Sequence, residues 1–192
     1  MQTTGLDRNI IDKFYTKPTV SKKCCDIIKQ IIDINYENDI IIEPSAGNGS
    51  FIPEILKMSL NCSFYDIQPE HPIVVKQDYL TFTINDIEIS DCCLSSKIHV
   101  MGNPPFGRQS SLAIKFIKKS TEFCDTMSFI LPNSFKKESM QKHIPLRFHL
   151  VYQCDLEEDS FTINGEDKHI SCVLQIWKKK ECERVPHQIS DM

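Results

Sequence analysis

The sequence predicts an α/β fold of one domain, in which a seven-stranded, mostly parallel sheet carries a C-terminal antiparallel hairpin. Short apolar runs alternate along the chain with segments whose apolar residues recur at helical spacing, which is typical of an α/β fold. A length of 192 residues with 41% hydrophobic content suits one hydrophobic core. The last two apolar runs are joined by a polar connection without a helix, so those strands should be antiparallel.

The first helix is predicted at 19–34, directly after Pro18, because its apolar residues recur every three to four positions. Further helices are predicted at 51–58 and 112–123, with a helical or irregular crossing at 139–145. The seven strands are predicted at 39–42, 63–65, 73–75, 98–101, 127–131, 148–154 and 172–178. The polar loop that joins the last two strands runs from 157 to 169 and contains Asn164-Gly165. The domain is predicted at 12–180, between an N-terminal extension (1–11) and a C-terminal tail (181–192).

Composition excludes several classes of protein. The nine cysteines include two adjacent pairs and no CxxC spacing, so we expect free thiols and no metal site. No apolar stretch is long enough for a membrane span, and the first residues lack the apolar core of a secretory signal. An intracellular, cytoplasmic protein (nuclear in a eukaryote) without a membrane partner is therefore expected.

Basic residues are concentrated in one third of a chain whose net charge is −4. The range 108–147 contains eight lysine and arginine residues against three acidic residues. A basic region on an acidic protein favours local contact with nucleic acid, DNA or RNA. Solvated helix faces are the alternative interpretation.

Polar residues end four of the predicted parallel strands. Glu43, Asp66, Asp78 and Asn103 each stand at or just beyond the end of a strand. Ligands of open parallel sheets bind outside the carboxyl ends of the strands, so these four side chains should share one rim. Such a rim suits a positively charged ligand that is rich in hydrogen-bond donors.

A glycine loop follows the first of these strands, with the sequence EPSAGNGSF from Glu43 to Phe51. Gly47 and Gly49 have no β-carbon, so the backbone can approach a ligand closely there. Asp66 ends the next strand, where its carboxylate could accept hydrogen bonds from both hydroxyls of a ribose. The alternative is an ordinary strand-to-helix turn followed by a surface aspartate.

The tetrapeptide Asn103-Pro104-Pro105-Phe106 follows the fourth strand. The two prolines restrict the backbone, so the Asn103 amide and the Pro104 carbonyl are held as two acceptors at the sheet edge. Two acceptors that bind the N–H groups of an aryl amine can direct its lone pair at a methyl donor. Phe106 offers a ring on which an unpaired base can stack. A rigid turn with a core phenylalanine is the alternative.

With these motifs in the order given, the chain resembles the amino-methyltransferase family of adenine-N6 and cytosine-N4 enzymes, with the motif order of its gamma type. The segment Phe14-Tyr15-Thr16-Lys17-Pro18 is similar to the family's N-terminal cofactor motif. The glycine loop, with Glu43, Ser45 and Phe51, is similar to its glycine motif, and Asp66-Ile67 to its acidic strand end. Asp78-Tyr79 is similar to the position that binds the cofactor adenine, and Asn103 to Phe106 match the catalytic tetrapeptide.

The resemblance implies a Rossmann-like class I methyltransferase fold, S-adenosyl-L-methionine as cofactor, and methylation of the N6 amine of adenine, with DNA slightly preferred. It leaves methylation of structured RNA such as ribosomal RNA, of protein glutamine, and a non-catalytic cofactor-binding subunit as alternatives. Gamma-type DNA enzymes carry a recognition domain after the catalytic domain, whereas here only 180–192 follow the last predicted strand. Recognition is therefore expected from loops, from RNA shape, or from a partner subunit or homodimer.

Overall fold

The computed structural model describes residues 14–87, 96–163 and 165–185. The strands are β1 (Tyr15–Thr16), β2 (Ile40–Glu43), β3 (Asn61–Asp66), β4 (Val75–Lys76), β5 (Ile98–Gly102), β6 (Thr126–Pro132), β7 (Phe148–Asp155), β8 (Phe161–Ile163), β9 (Glu166–Lys168) and β10 (Cys172–Lys179). The helices are α1 (Pro18–Ile31), α2 (Ile52–Ile55), α3 (Ser111–Thr121) and α4 (Glu138–Gln141).

Over the described residues, seven strands form one sheet in the order β4-β3-β2-β5-β6-β10-β7. The pairs among β2 to β6 are parallel, whereas β10 is antiparallel to both β6 and β7. The predicted fold class is confirmed, including the antiparallel pair that the short connection required. The carboxyl ends of β2, β3 and β5 therefore meet at one edge of the sheet.

The sheet buries both of its faces, because side chains alternate along each strand. Ile40 and Ile42 of β2 pack in a cluster that contains Ile117 of α3. Ile41 points to the opposite face, where it packs in a cluster that contains Ile28 of α1 and Ile55 of α2. This layering leaves the carboxyl ends of the strands to the loops and to the first turns of α3.

Several predicted elements are shorter than expected, among them the edge strand β4 and the helix α2. The third parallel strand was predicted at 73–75 and is the two-residue β4, at the edge of the sheet. The helix predicted at 51–58 is the single turn α2. It ends early because the following residues form tight turns, in which Met58 N–H donates to the Ile55 carbonyl at 2.8 Å. Ser59 next donates to the Asp39 carbonyl at 2.5 Å, which directs the chain into β3.

The predicted loop at 157–169 was wrong over part of its length. It contains the hairpin β8-β9, and β8 also pairs with β1 to form a three-stranded sheet of the order β1-β8-β9. Lys17 fastens the N-terminal segment to this hairpin through ion pairs with Asp167 (2.9 Å) and Asp159 (3.5 Å). Strands this short carry little periodicity, and Tyr15 and Thr162 pair across most of the chain. Of the predicted turn, Asn164 lies outside the described residues.

The predicted C-terminal tail includes Arg184, which packs on the domain. Its guanidinium donates to four backbone carbonyls, those of Gln141, Ile144, Pro145 and Phe148, and lies 5.3 Å from the ring centre of Trp177.

In the part of the chain that the structure describes, no helix is long and apolar enough to cross a membrane. The same residues contain no cluster of three His, Cys, Asp or Glu side chains that could hold a metal ion.

Candidate active site

A cavity of about 260 Å³ lies at the carboxyl ends of β2, β3 and β5. The structure brings nearly all of the predicted site residues to it. Those that line it are Phe14, Tyr15, Thr16, Glu43, Ser45, Gly47, Phe51, Asp66, Ile67, Asp78, Tyr79, Asn103, Pro104, Pro105 and Phe106. Pro18 and Gly49, which were predicted with them, do not line the cavity.

Asn103 is held by two contacts that leave one of its oxygens free. Its Nδ2 donates to the Phe14 carbonyl at 3.3 Å, and its own backbone carbonyl accepts from Ser45 Oγ at 3.0 Å. The contact with Phe14 orients the amide, so Oδ1 is the remaining group, and it is buried without a hydrogen-bond partner. The site thus presents an unused acceptor on a restrained side chain.

Glu43 lies at the base of the same cavity with 1% of its surface exposed. Its Oε2 has no hydrogen-bond partner. Burial, together with the charge of Asp66, raises the pKa of this carboxyl to about 8. Gly102 makes room for it: Gly102 has φ +141°, and a β-carbon there would lie 3.1 Å from Glu43 Cγ.

Three residues that line this cavity carry a buried oxygen without a hydrogen-bond partner. Among the described residues, five buried side-chain oxygens lack a partner, and those of Thr16, Glu43 and Asn103 belong to cavity-lining residues. A buried polar atom without a partner costs roughly 1–3 kcal/mol, so native proteins rarely keep several together. The arrangement fits a ligand that donates hydrogen bonds or carries positive charge.

The glycine loop is held against the end of β3. Gly47 N–H donates to Asp66 Oδ2 at 2.8 Å, and Gln68 N–H donates to the other carboxylate oxygen at 2.8 Å. A carboxylate has about four acceptor positions, so Asp66 can still accept hydrogen bonds from a ligand. Gly49 has a packing role: with φ +84°, its missing β-carbon would lie 2.8 Å from Ile52 and 2.9 Å from His71.

The N-terminal segment Phe14–Thr16 forms one wall of the cavity. The hydroxyl of Tyr15 donates to Glu70 Oε1 at 2.6 Å. Burial, and after it this hydrogen bond as the second largest cause, raises the pKa of Tyr15 to about 12. The rings of Phe14 and Phe106 stack, with centroids 6.1 Å apart and planes at 27°. Pro18 instead begins α1, where its missing N–H costs nothing.

Asp78 and Tyr79 contribute differently from each other. Asp78 is exposed and caps the following turn by accepting from Leu80 N–H at 2.9 Å. Tyr79 is buried, and its hydroxyl shares a 2.9 Å hydrogen bond with Ser120 of α3. Tyr79 therefore offers the cavity an apolar ring, and its hydroxyl belongs to the core.

Sequence reasoning missed an apolar wall and several polar neighbours. Leu112 and Phe116 of α3 line the cavity at i, i+4 spacing, directly after the Asn-Pro-Pro-Phe tetrapeptide. This helical spacing was the signal that could have found them. The other lining residues are Gln68, Gln77 and Leu80, together with members of the predicted glycine loop that were not singled out: Pro44, Ala46, Asn48 and Ser50.

Known proteins with similar sequences are methyltransferases. No known family profile matches the chain. Ribosomal RNA small subunit methyltransferase A of Francisella tularensis (strain FSC 198) is 26% identical over 183 aligned positions, which cover 82% of this chain and 68% of that protein. The protein of the same name from the novicida strain U112 is 25% identical over the same shares.

Solved structures agree on the architecture. PH1948 of Pyrococcus horikoshii, provisionally named an RNA methyltransferase, superposes with a TM-score of 0.64 at 15% identity, over 93% of this chain and 92% of that one. The 23S rRNA methyltransferase ErmE superposes with a TM-score of 0.59 at 13% identity, over 90% and 72%. The chain has the Rossmann-like methyltransferase fold. In this fold the cavity lies where parallel sheets bind their ligands.

Proposed function

We propose that this protein is an S-adenosyl-L-methionine-dependent methyltransferase that acts on the exocyclic N6 amine of adenine in nucleic acid. One observation carries the proposal: one cavity is lined by Asn103, whose Oδ1 has no hydrogen-bond partner, and by the buried Glu43, whose carboxyl oxygen Oε2 has none either. An amide acceptor beside a carboxylate suits an amine and a cation held next to each other. Sequence similarity to methyltransferases supports the same reaction class.

The cofactor would be held by residues that already face the cavity. S-adenosylmethionine supplies a methyl group on a positively charged sulfur, which a neutral amine can attack. Glu43, when ionised, offers negative charge to such a ligand, and the Thr16 hydroxyl is free to bind it. Asp66 offers its remaining acceptor positions to ribose hydroxyls.

The substrate amine would be held by the Asn-Pro-Pro-Phe tetrapeptide. Asn103 Oδ1 and the Pro104 carbonyl accept its two N–H groups, which directs the nitrogen lone pair into the cavity. Phe106 is only partly buried, so its ring can stack on an unpaired base. A general base is not required, because the proton can leave to solvent after transfer.

Two polymers compete as the substrate. The sequence resemblance favoured DNA slightly, whereas the relatives in sequence are named for ribosomal RNA. RNA is therefore the first substrate to test and DNA the second. The non-catalytic alternative predicts cofactor binding without transfer.

The decisive experiment is transfer of labelled methyl from S-adenosylmethionine to total RNA, DNA and protein, followed by nucleoside mass spectrometry. We expect N6-methyladenosine or its deoxy form, and Asn103→Ala should lower the rate at least about 100-fold while cofactor affinity is kept. Asn133→Ala is the matched control, because Asn133 Oδ1 is also buried and unpartnered but does not line the cavity. Label in protein alone, or full activity in Asn103→Ala, would contradict the proposal.

A further inference from the structure

The eight cations of the basic region 108–147 separate into two groups in the structure. Three are paired with carboxylates: Lys119 with Glu122 at 2.8 Å, Lys136 with Asp155, and Arg147 with Glu181 at 3.2 Å. The remaining five have no ion pair with any carboxylate in the described ranges, and all are exposed. They are Arg108, Lys115, Lys118, Lys137 and Lys142. Cations that are exposed and unpaired are available to an anionic partner.

Two of these cations lie in a line on the outer side of α3. The helix buries Ala113 and Ile117 against the sheet, whereas Lys115 and Lys118 are exposed with Ser111 at i, i+4, i+7 spacing. From Ser111 to Lys118 this line rises about 10 Å along the helix axis. The inner side of the same helix, through Leu112 and Phe116, lines the cavity.

The line begins beside the candidate active site and continues past the end of α3. Arg108 is exposed two residues after Phe106. At the other end, Ile144 packs in the cluster that contains Ile117 of α3, which brings the segment of Lys142 next to this helix. Burial and the charges of Lys118 and Lys142 lower the pKa of His143, in agreement with this packing. Arg184 holds the segment after α4 in place through the Gln141 and Ile144 carbonyls at 2.9 and 3.0 Å.

Two of the three acidic residues of the basic region are engaged elsewhere. Glu122 binds Lys119, and Asp125 Oδ2 accepts from Ile98 N–H at 2.8 Å. The protein as a whole carries a net charge of −4, so a polyanion is not attracted to its surface in general. Exposed lysines without a carboxylate partner among the described residues also occur at Lys76, Lys97, Lys178, Lys179 and Lys180. Lys115 and Lys118 differ from these because they lie on the helix whose inner side lines the cavity.

We infer that Arg108, Lys115, Lys118 and Lys142 form a phosphate track, which binds the phosphodiester backbone of one nucleic-acid strand beside the cavity. The inference rests on the proposed function, because the strand is the one whose target base enters the cavity. Phosphate contacts of this kind position a strand without reading its sequence. The track therefore predicts binding that is strong in low salt, tolerant of sequence and dependent on charge.

The test uses a fluorescein-labelled 20-nucleotide single strand, as RNA and as DNA, and measures its Kd across a series of KCl concentrations. The variant Lys115→Gln/Lys118→Gln/Lys142→Gln should bind more weakly, and its slope of log K against log salt should be shallower by about 2, since each lost contact removes about 0.7. The side chains are exposed, so thermal unfolding should be unchanged.

The matched control is Lys119→Gln/Lys136→Gln/Arg147→Gln, which removes three charges from the same region at paired positions. Its slope should stay close to that of the wild type. Three results would overturn the track. They are equal salt slopes for all three proteins, a slope lowered equally in both variants, and no binding of either strand by the wild type.

Methyl transfer to total RNA, DNA and protein separates the track from the proposed function. A slope that falls only in the first variant, with no methyl transferred by the wild type, would leave the track standing and remove the methyltransferase assignment. Methyl transfer by the wild type with no change of slope in the first variant would remove the track alone.

Discussion

Glu43 illustrates how one buried side chain links pH, stability and ligand binding. Its pKa is raised from an ordinary value of 4.5 to about 8, chiefly by burial. The folded protein therefore keeps a proton that the unfolded chain releases above pH 4.5. Glu43 therefore makes its full contribution to the free energy of unfolding below pH 4.5. That contribution is lost as the pH rises through about 8.

Glu43→Gln should remove this dependence, because glutamine cannot ionise and has nearly the same shape. We expect the ligand-free wild type to lose more thermal stability than the variant between pH 5 and pH 8.5, measured as the unfolding temperature in parallel scans. Parallel pH profiles of the two proteins would contradict the raised pKa. In the wild type at pH 7, a cationic cofactor should release close to one proton on binding, measured by calorimetry in two buffers.

Asp66 holds the glycine loop and leaves acceptor positions for a ligand. Asp66→Ala should weaken the binding of S-adenosylmethionine by about 10- to 100-fold, the range expected for lost hydrogen bonds to a charged group. Calorimetry measures this affinity. Asp86→Ala is the control, because Asp86 accepts from Thr83 in a capping box and does not line the cavity. An unchanged affinity in Asp66→Ala would refute the ribose role.

At the scale of elements, the short turn between the tetrapeptide and α3 has a strained backbone. Gln109 and Ser110 have φ values of 52° and 61°, a left-handed conformation that side chains with a β-carbon disfavour. Strain of this kind is often found next to functional sites. Here it reverses the chain between Phe106, which lines the cavity, and α3, which forms the apolar wall.

Gln109→Gly should relieve this strain and stabilise the protein by about 1 kcal/mol, which raises the unfolding temperature by about 2–4 °C. Ser111→Gly is the matched control, since Ser111 has helical φ and ψ of −62° and −35° and should lose stability as glycine. Calorimetric unfolding of the three proteins measures both effects. A loss of stability in Gln109→Gly as large as in Ser111→Gly would contradict the strain argument.

Elements with strong local signals were predicted well, and elements that depend on distant partners were not. The periodicity after Pro18 predicted α1 to within three residues at its end, and the apolar runs predicted β5 and β6 to within one residue at each end. The hairpin β8-β9 was missed, because its strands are three residues long and β8 also pairs with the distant β1. Pairing of this kind leaves no periodic pattern.

At the scale of the whole molecule, Arg184 joins the C-terminal segment to the helical side of the sheet. Its four hydrogen bonds go to carbonyls of the segment that runs from the last residue of α4 to the first residue of β7, and its guanidinium lies over Trp177. The same segment carries Lys142. The residues beyond β10 that the structure describes therefore contribute to the order of the domain.

Arg184→Ala should destabilise the protein by about 1–3 kcal/mol, because four carbonyls lose a charged donor. Arg184→Lys should restore little of this, since an ammonium group cannot match the planar fork of a guanidinium. Arg147→Ala is the control, as the Arg147 side chain is half-exposed and pairs with a fully exposed glutamate. Denaturant unfolding measures all three, and equal stability of Arg184→Ala and Arg147→Ala would contradict the role of Arg184.

The sequence by itself determined the fold class and the identity of most residues around the cavity. Strand ends, the glycine loop and the tetrapeptide are local features, and the geometry of a parallel sheet brings strand ends to one edge whatever the distance along the chain. Only the tertiary structure decided which polar atoms keep a free position, because that depends on the burial of Glu43, the contact of Asn103 with Phe14 and the pairing of β1 with β8. It also decided which cations are paired, since a lysine meets its carboxylate only after the elements have packed.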